Sequence, residues 1–441
     1  MKPRSLVVAA VLLAALSGAV WYAKKHPAST SSTPGSSTTV KVVDIPAAQL
    51  QQVTVKKKDG SQLSLKRENG KWQIVQPQAY QADQDAVSSL ISALAPLNAD
   101  SVVEEKATDT AKYGLTAPSM TVSLGLVNGK TETIEFGDEA PAGSLVYAQH
   151  GSEPKVFALA SSTKTSFDKS VNDLRDKRLL TFNTDKLTSV ELDSKKGPVS
   201  FAKNNQGDWQ IVKPAAWRAD SFQVEELVRK LQDARMDLSG SADEQKKAAA
   251  SYASAQPLAT VKLSDAAGAQ SLDVKKLNTD YYAKSSVVPG IYKVAADLGT
   301  ALDKTPADFR NHKLFDFGFN DPNKVEFRNG SSDVTYQKSG QDWKSGGKNM
   351  DAASIQAVVD QLRDLSASAF PTTGFTNPYI DITVVSNDGK RTEKVSFAKS
   401  SQNYVAKRDG EPSLYELSAK SVDDLVKAFG AVKPAPAAKK K

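Results

Sequence analysis

Residues 69–97 read NGKWQIVQPQAYQADQDAVSSLISALAPL, and this stretch decides the fold. Asn69-Gly70 is a hairpin turn signal. Trp72 and Ile74 then share one face of a strand, because alternate strand residues point the same way. A polar link follows, and Asp83 stands where a helix N-cap belongs. Val87, Leu90, Ile91 and Leu94 come next at the spacing of one helix face. The plan returns at residues 206–234, QGDWQIVKPAAWRADSFQVEELVRKLQDA, with Asp220 leading Val224, Leu227, Val228 and Leu231. It returns in worn form at residues 340–365, GQDWKSGGKNMDAASIQAVVDQLRDL, with Asp351 leading Ile355, Val358, Val359 and Leu362. Trp72, Trp209 and Trp343 lie 137 and 134 residues apart. A long period of this kind marks one structural unit used repeatedly.

Working outward, two more strands precede each tryptophan strand. Val53 and Val55, then Leu63 and Leu65, alternate with polar residues in the first copy. Val190 and Leu192 with Val199 and Phe201 do so in the second, and Val325 and Phe327 with Val334 and Tyr336 in the third. Each copy therefore opens with a three-stranded antiparallel meander that has one apolar face. A second half follows, opened by Tyr113-Gly114-Leu115, by Tyr252 with Pro257, and by Gly374-Phe375 with Pro378. In the first copy its strands are expected at 122–126, 133–136, 145–148 and 156–159. A helix closes each half, at 166–175, 295–302 and 421–429. LRDKRLLTF (174–182) and FRNHKLFDF (309–317) then join one copy to the next, and the third copy lacks this join. Half a unit of this size buries too little surface to stand alone, so paired halves are expected to share a core. The fold class is α+β: three tandem modules of antiparallel meanders packed by amphipathic helices, at 44–182, 183–317 and 318–432.

The ends differ in character. Residues 1–4 form a short tail with Lys2 and Arg4. Residues 5–23, SLVVAAVLLAALSGAVWYA, are long enough to span a membrane as a signal-anchor, with Trp21 and Tyr22 at the interface and Lys24-Lys25 beyond. A signal peptide cleaved after Ala19 is the rival reading. The anchor is preferred because apolar character continues past Ala19. Residues 24–43 are rich in Ser, Thr and Pro and read as a flexible tether. Residues 433–441, KPAPAAKKK, read as a frayed basic tail. A short tail ahead of a large domain leads us to expect the bulk outside the cytoplasm, in the periplasm or otherwise exocytoplasmic.

The 441 residues contain no cysteine, which removes disulfides, thiolate nucleophiles and cysteine-zinc sites. Net charge is +7, with basic residues spread among acidic ones, so no nucleic-acid footprint is expected. The stretch GLVNGKT (125–131) has three residues between its glycines where a phosphate loop needs four. The histidines are His26, His150 and His312, without metal-binding spacing. No cofactor and no enzymatic activity are expected. Four side chains stand out as candidate partner contacts. Tyr80 and Trp217 occupy matching places in the link, as anchors for a partner or as hydrophobic staples beside the cap. Arg175 and Arg310 recur at a helix exit, where a cation complements the helix C-terminus, forms an ion pair between modules, or binds an anion.

The single N-terminal apolar segment, the strands NGKWQIVQP and QGDWQIVKP, YGLTAP, and LRDKRLLTF together resemble the bacterial domain-of-unknown-function family 4340, in tandem copies over about residues 44–432. The third copy departs most, having lost the link's aromatic. The resemblance implies similarity to auxiliary proteins of gliding-motility-type ABC transporters, an envelope location and a transporter partner. It supplies no catalytic residues. The expected function is a membrane-anchored exocytoplasmic scaffold or binding protein, single-pass in the bacterial inner membrane. The alternatives are a soluble periplasmic protein that binds glycan or lipid, and an envelope hydrolase.

Overall fold

The computed structural model describes residues 39–141 and 143–436. The apolar segment 5–23, residues 24–38 of the expected tether and the last five residues lie outside the described residues. The end of the expected tether is instead a strand, Val40–Asp44, whose Val42 and Val43 are buried in the core because it pairs with Pro96–Ala99. Among the described residues no helix is long and apolar enough to cross a membrane. The chain divides into two compact units, Met1–Asp176 and Lys177–Lys441, and each is taken by itself.

The first unit contains β1 (Val40–Asp44), β2 (Leu50–Lys57), β3 (Gln62–Glu68), β4 (Lys71–Gln76), β5 (Tyr80–Gln81), α1 (Gln84–Leu94), β6 (Pro96–Ala99) and β7 (Ser101–Glu104). It continues with β8 (Met120–Leu126), β9 (Thr131–Glu139), β10 (Leu145–His150), β11 (Val156–Ala160), α2 (Ser161–Phe167) and α3 (Val171–Leu174). Asn69 and Gly70 both adopt positive φ, 50° and 79°, as a two-residue hairpin between β3 and β4 requires. β2 pairs with β8, setting Val53 against Leu124 and Val55 against Val122. That pairing fuses the two meanders into one nine-stranded sheet in the order β5-β4-β3-β2-β8-β9-β10-β11-β7. It also hides the inner edges that two separate meanders would expose. Val87, Leu90, Ile91 and Leu94 of α1 are all buried against the sheet, as is Trp72. GLVNGKT forms a hairpin turn, with Leu126 N–H donating to Lys130 O at 2.8 Å.

The closing helix expected at 166–175 is instead two short helices, α2 and α3. The Ser170 side chain caps α3, and Asp173 reaches back to the Ser170 N–H at 2.7 Å, so a new helix starts there. Phe167, fully buried, ends α2.

The second unit begins with β12 (Leu187–Ser194), β13 (Val199–Lys203), β14 (Trp209–Lys213), β15 (Trp217–Arg218), α4 (Ser221–Gln232), α5 (Ala242–Ser254), β16 (Gln256–Asp265), β17 (Gly268–Leu277), β18 (Asp280–Ser285), β19 (Ile291–Val294) and α6 (Ala296–Leu302). It ends with β20 (Lys324–Asn329), β21 (Ser332–Ser339), β22 (Asp342–Ser345), β23 (Lys348–Met350), α7 (Ala352–Asp364), β24 (Ile380–Ser386), β25 (Arg391–Ser400), β26 (Asn403–Arg408), β27 (Leu414–Ser418) and α8 (Ala419–Gly430). Two eight-stranded antiparallel sheets result, β15-β14-β13-β12-β16-β17-β18-β19 and β23-β22-β21-β20-β24-β25-β26-β27. Each has its own core, one holding Trp209 and the other Trp343. The overall class is α+β with antiparallel sheets.

Two details differ from the sequence expectation. Tyr252 does not open the second half; it lies in α5, a helix started by a capping box of Ser241 and Glu244. Its ring packs with Tyr282 and its hydroxyl donates to Asp273. The start of the basic tail is also ordered: Asp351 N–H donates to Lys433 O and Ala435 N–H to Asn349 O, both at 2.9 Å. Those backbone groups need partners, and the tail supplies them where earlier copies use the join.

Asp83, Asp220 and Asp351 each cap their helix through the side chain. Asp351→Ala is expected to cost about 1 kcal/mol, the usual value of a lost N-cap. Thermal unfolding of the variant checks this, and Asp351→Asn, which keeps an accepting oxygen, should recover most of the loss.

Candidate functional site

The link between the tryptophan strand and its helix gathers the four side chains singled out above. In the first unit Tyr80 lies on β5 opposite Ile74 and is half-buried. Arg175 is the residue that ends α3. Asp83 N–H donates to Leu174 O and Asp176 N–H to Gln81 O, both at 2.8 Å. These bonds bring Ala82 and Arg175 together as an isolated antiparallel bridge. The Arg175 guanidinium then sits 4.1 Å from the centre of the Tyr80 ring. A cation on an aromatic face contributes about 0.5–1 kcal/mol at a partly exposed site.

The second unit repeats the geometry. Asp220 N–H donates to Phe309 O at 2.8 Å, Asn311 N–H to Arg218 O at 2.9 Å, and Ala219 bridges Arg310. The Arg310 guanidinium lies 4.3 Å from the Trp217 ring centre and 3.6 Å from that of Phe370, which lies on the connection between α7 and β24 and packs against the core that holds Trp343. Its Nη2 donates to Ser413 Oγ at 2.8 Å. Burial pulls the Arg310 pKa below its ordinary value, and the nearby Tyr415 and Glu411 oppose that. The structure thus joins each aromatic to its own arginine, a pairing that residues more than ninety positions apart do not announce. Tyr80 is not a staple residue: the position before the Asp83 cap is the buried Ala82, and Tyr80 lies two residues further out. In the third copy Lys348 and Pro434 take the matching places, in a link where Gly346-Gly347, both at positive φ, forms a tight hairpin.

A charged cluster beside Arg310 was not read from the sequence. Arg218 donates through Nη2 to Lys313 O, and its Nε lies 3.0 Å from Glu411 Oε1. Its Nη1 lies 3.6 Å from Asp316 Oδ2. Nε meets Glu411 at ion-pair distance but off the hydrogen-bonding angle, and Nη1 lies beyond hydrogen-bond distance of Asp316. Arg408 pairs with Glu411 at 2.7 Å and with Glu393 at 3.1 Å, and donates to Leu314 O. Glu393, almost fully buried, also accepts from Asp316 N–H at 3.0 Å. Burial raises the Glu411 pKa, but the charge of Arg218, the Tyr415 hydroxyl and Arg408 outweigh it and hold the carboxyl below its ordinary value. Burial likewise works against Arg408, and Glu411 and Glu393 overcome it, raising its pKa. One signal was available: Glu393 continues the inward face of Val395 and Phe397, an odd place for a carboxylate. At the matching place on the second sheet the join is held by neutral groups, Gln270 accepting from Thr181 N–H at 2.9 Å and Ser285 donating to Leu179 O.

His312 Nδ1 is 2.8 Å from Ala367 O, and the His150 nitrogens lie 3.1 Å from Glu132 and 3.2 Å from Glu153. The two glutamates approach opposite ring nitrogens, so they do not converge on one point. Among the described residues no group of three or more His, Cys, Asp or Glu side chains can hold a metal ion.

Fold and links define a chain of repeated antiparallel sheets, each fastened at its link by a returning strand. Two segments, residues 72–208 and 209–380, match the family model described as Domain of unknown function (DUF4340), and the chain belongs to that family. The first match runs from Trp72 and the second from Trp209, so the family's unit has the tryptophan period of the sequence. No curated protein and no solved structure matches the chain.

Proposed function

We propose that the chain is a membrane-anchored exocytoplasmic scaffold or binding arm of the bacterial inner membrane. Residues 5–23 form the anchor, the residues from 24 up to the strand that starts at Val40 the tether, and three modules, the first entered by that strand and the others at 183–317 and 318–432, the arm. We further propose that it serves an ABC-type transport system as an accessory component and catalyses no reaction. One observation carries this reading: the side chains that recur at matched positions belong to turns, caps, cores and links. The polar cluster that one copy has and the others lack is spent on fastening two sheets together. Its carboxylates face arginines, and Glu411 is held ionised, whereas a general acid at neutral pH needs a raised pKa.

N-terminal sequencing and alkaline carbonate extraction test the anchor. The full chain should keep residues 5–23 and leave the membrane only with detergent. A mature N-terminus at Val20, with the protein in the soluble fraction, would replace this reading by the periplasmic binding protein.

A further inference from the structure

The charged cluster opens on one side into a cleft of about 510 Å³ between the second and third sheets of the second unit. That volume lies within the range of small-ligand sites, about 300–1,000 Å³. One wall carries Asp208, Arg218 and Asp220 from the second sheet's tryptophan strand and link; the other carries Lys313 and Asp316 from the join, with Arg391 of β25. Three cations and three carboxylates thus line it. Phe222 stands at the same cleft, on the first turn of α4, and is 71% exposed. It adds nothing to the core, because the buried face of α4 is Val224, Leu227, Val228 and Leu231. The first and third copies have Asp85 and Ala353 at this place. A bare phenyl beside a polar cleft, in one copy only, is not a demand of folding.

We infer that this cleft binds a neutral glycan chain. A sugar ring presents hydroxyls that both donate and accept, which matches the wall side chains left open to solvent, Asp208, Lys313, Asp316 and Arg391, while Arg218 behind them holds the two sheets together. Its C–H face is apolar and packs on an aromatic ring, which Phe222 supplies. The alternatives fit less well. A phosphate or nucleotide would meet three carboxylates. An apolar ligand would meet charge on both walls. An extended peptide would need a free strand edge, and the link beside β15 is already bridged by Arg310. The inference stands independently of the anchor and the transporter.

The test is isothermal titration of the full chain, in a detergent without a sugar headgroup, with chitotetraose and cellotetraose as neutral probes. Inorganic phosphate and a neutral tetrapeptide stand for the competing classes. Saturable one-site binding of a tetrasaccharide is expected. Phe222→Ala should weaken it about tenfold, the scale of one lost aromatic contact, with an unchanged thermal midpoint. Phe319→Ala, an exposed residue outside the lining, should leave it unchanged. Three results would overturn the inference: no binding of either sugar at millimolar concentration, affinity indifferent to Phe222→Ala, or preferential binding of phosphate or the tetrapeptide.

Discussion

Replacing Trp209 by alanine is expected to destabilise the second compact unit by about 3–5 kcal/mol, the cost of truncating a buried large aromatic. Trp209 is 5% exposed and belongs to the same core as Ile211, Leu227 and Leu231. The indole fills the space between its strand and the helix that the capping aspartate starts. Removing it leaves a cavity that a tightly packed antiparallel sheet cannot close. Trp72→Ala should lower the stability of the first unit by a similar amount, because Trp72 holds the matching place. Urea unfolding of both variants against the parent measures the two effects. An unchanged midpoint in either would remove the claim that the repeated stretch is the core of its sheet.

Arg408→Ala should be comparably damaging, at about 3–5 kcal/mol, because it strips the buried Glu393 of its buried cation and removes one partner of the half-buried Glu411. Arg408 holds Glu393 and Glu411 at 3.1 and 2.7 Å and also takes the Leu314 carbonyl. Truncation leaves Glu393 with Arg391 at 3.3 Å and the Asp316 N–H. The same network predicts a pH dependence. The Glu411 carboxyl is lowered from 4.5 in the folded chain. Its contribution is therefore complete above the unfolded value of about 4.5 and lost as pH falls through the lower, folded one. Glu411→Gln should lower stability at neutral pH and flatten the acid limb. Chemical denaturation at neutral pH and below pH 4 separates the two effects.

Much of the fold was legible because its demands are local and repeated. The Asn69-Gly70 turn, the Asp83, Asp220 and Asp351 caps and the four apolar positions after each cap sit in the structure where their spacing puts them. The fusion of two meanders through β2 and β8 was less legible, since pairing between residues as far apart as Val53 and Leu124 leaves no local mark. The closing helix of the first copy broke in two because a serine cap outweighed helical periodicity. At the links the sequence flagged Tyr80, Trp217, Arg175 and Arg310, yet the stacking of each arginine on its aromatic depends on a returning strand that only the fold brings back. Arg218, Arg408 and Glu411 were missed because their partners come from three separate stretches of chain. Nothing in the sequence sets Phe222 apart from the other apolar residues of an amphipathic helix, and its exposure becomes visible only once the helix is docked.

The claim at the centre of this account is that the repeated sheets form a non-catalytic arm serving a transporter at the membrane. Affinity capture of the full chain from detergent-solubilised membranes, read by mass spectrometry, tests it most directly. The account predicts recovery of the membrane-embedded and nucleotide-binding subunits of an ABC transporter in constant proportion to the chain. Recovery of the chain alone, from membranes in which those subunits are present and detected, would contradict it.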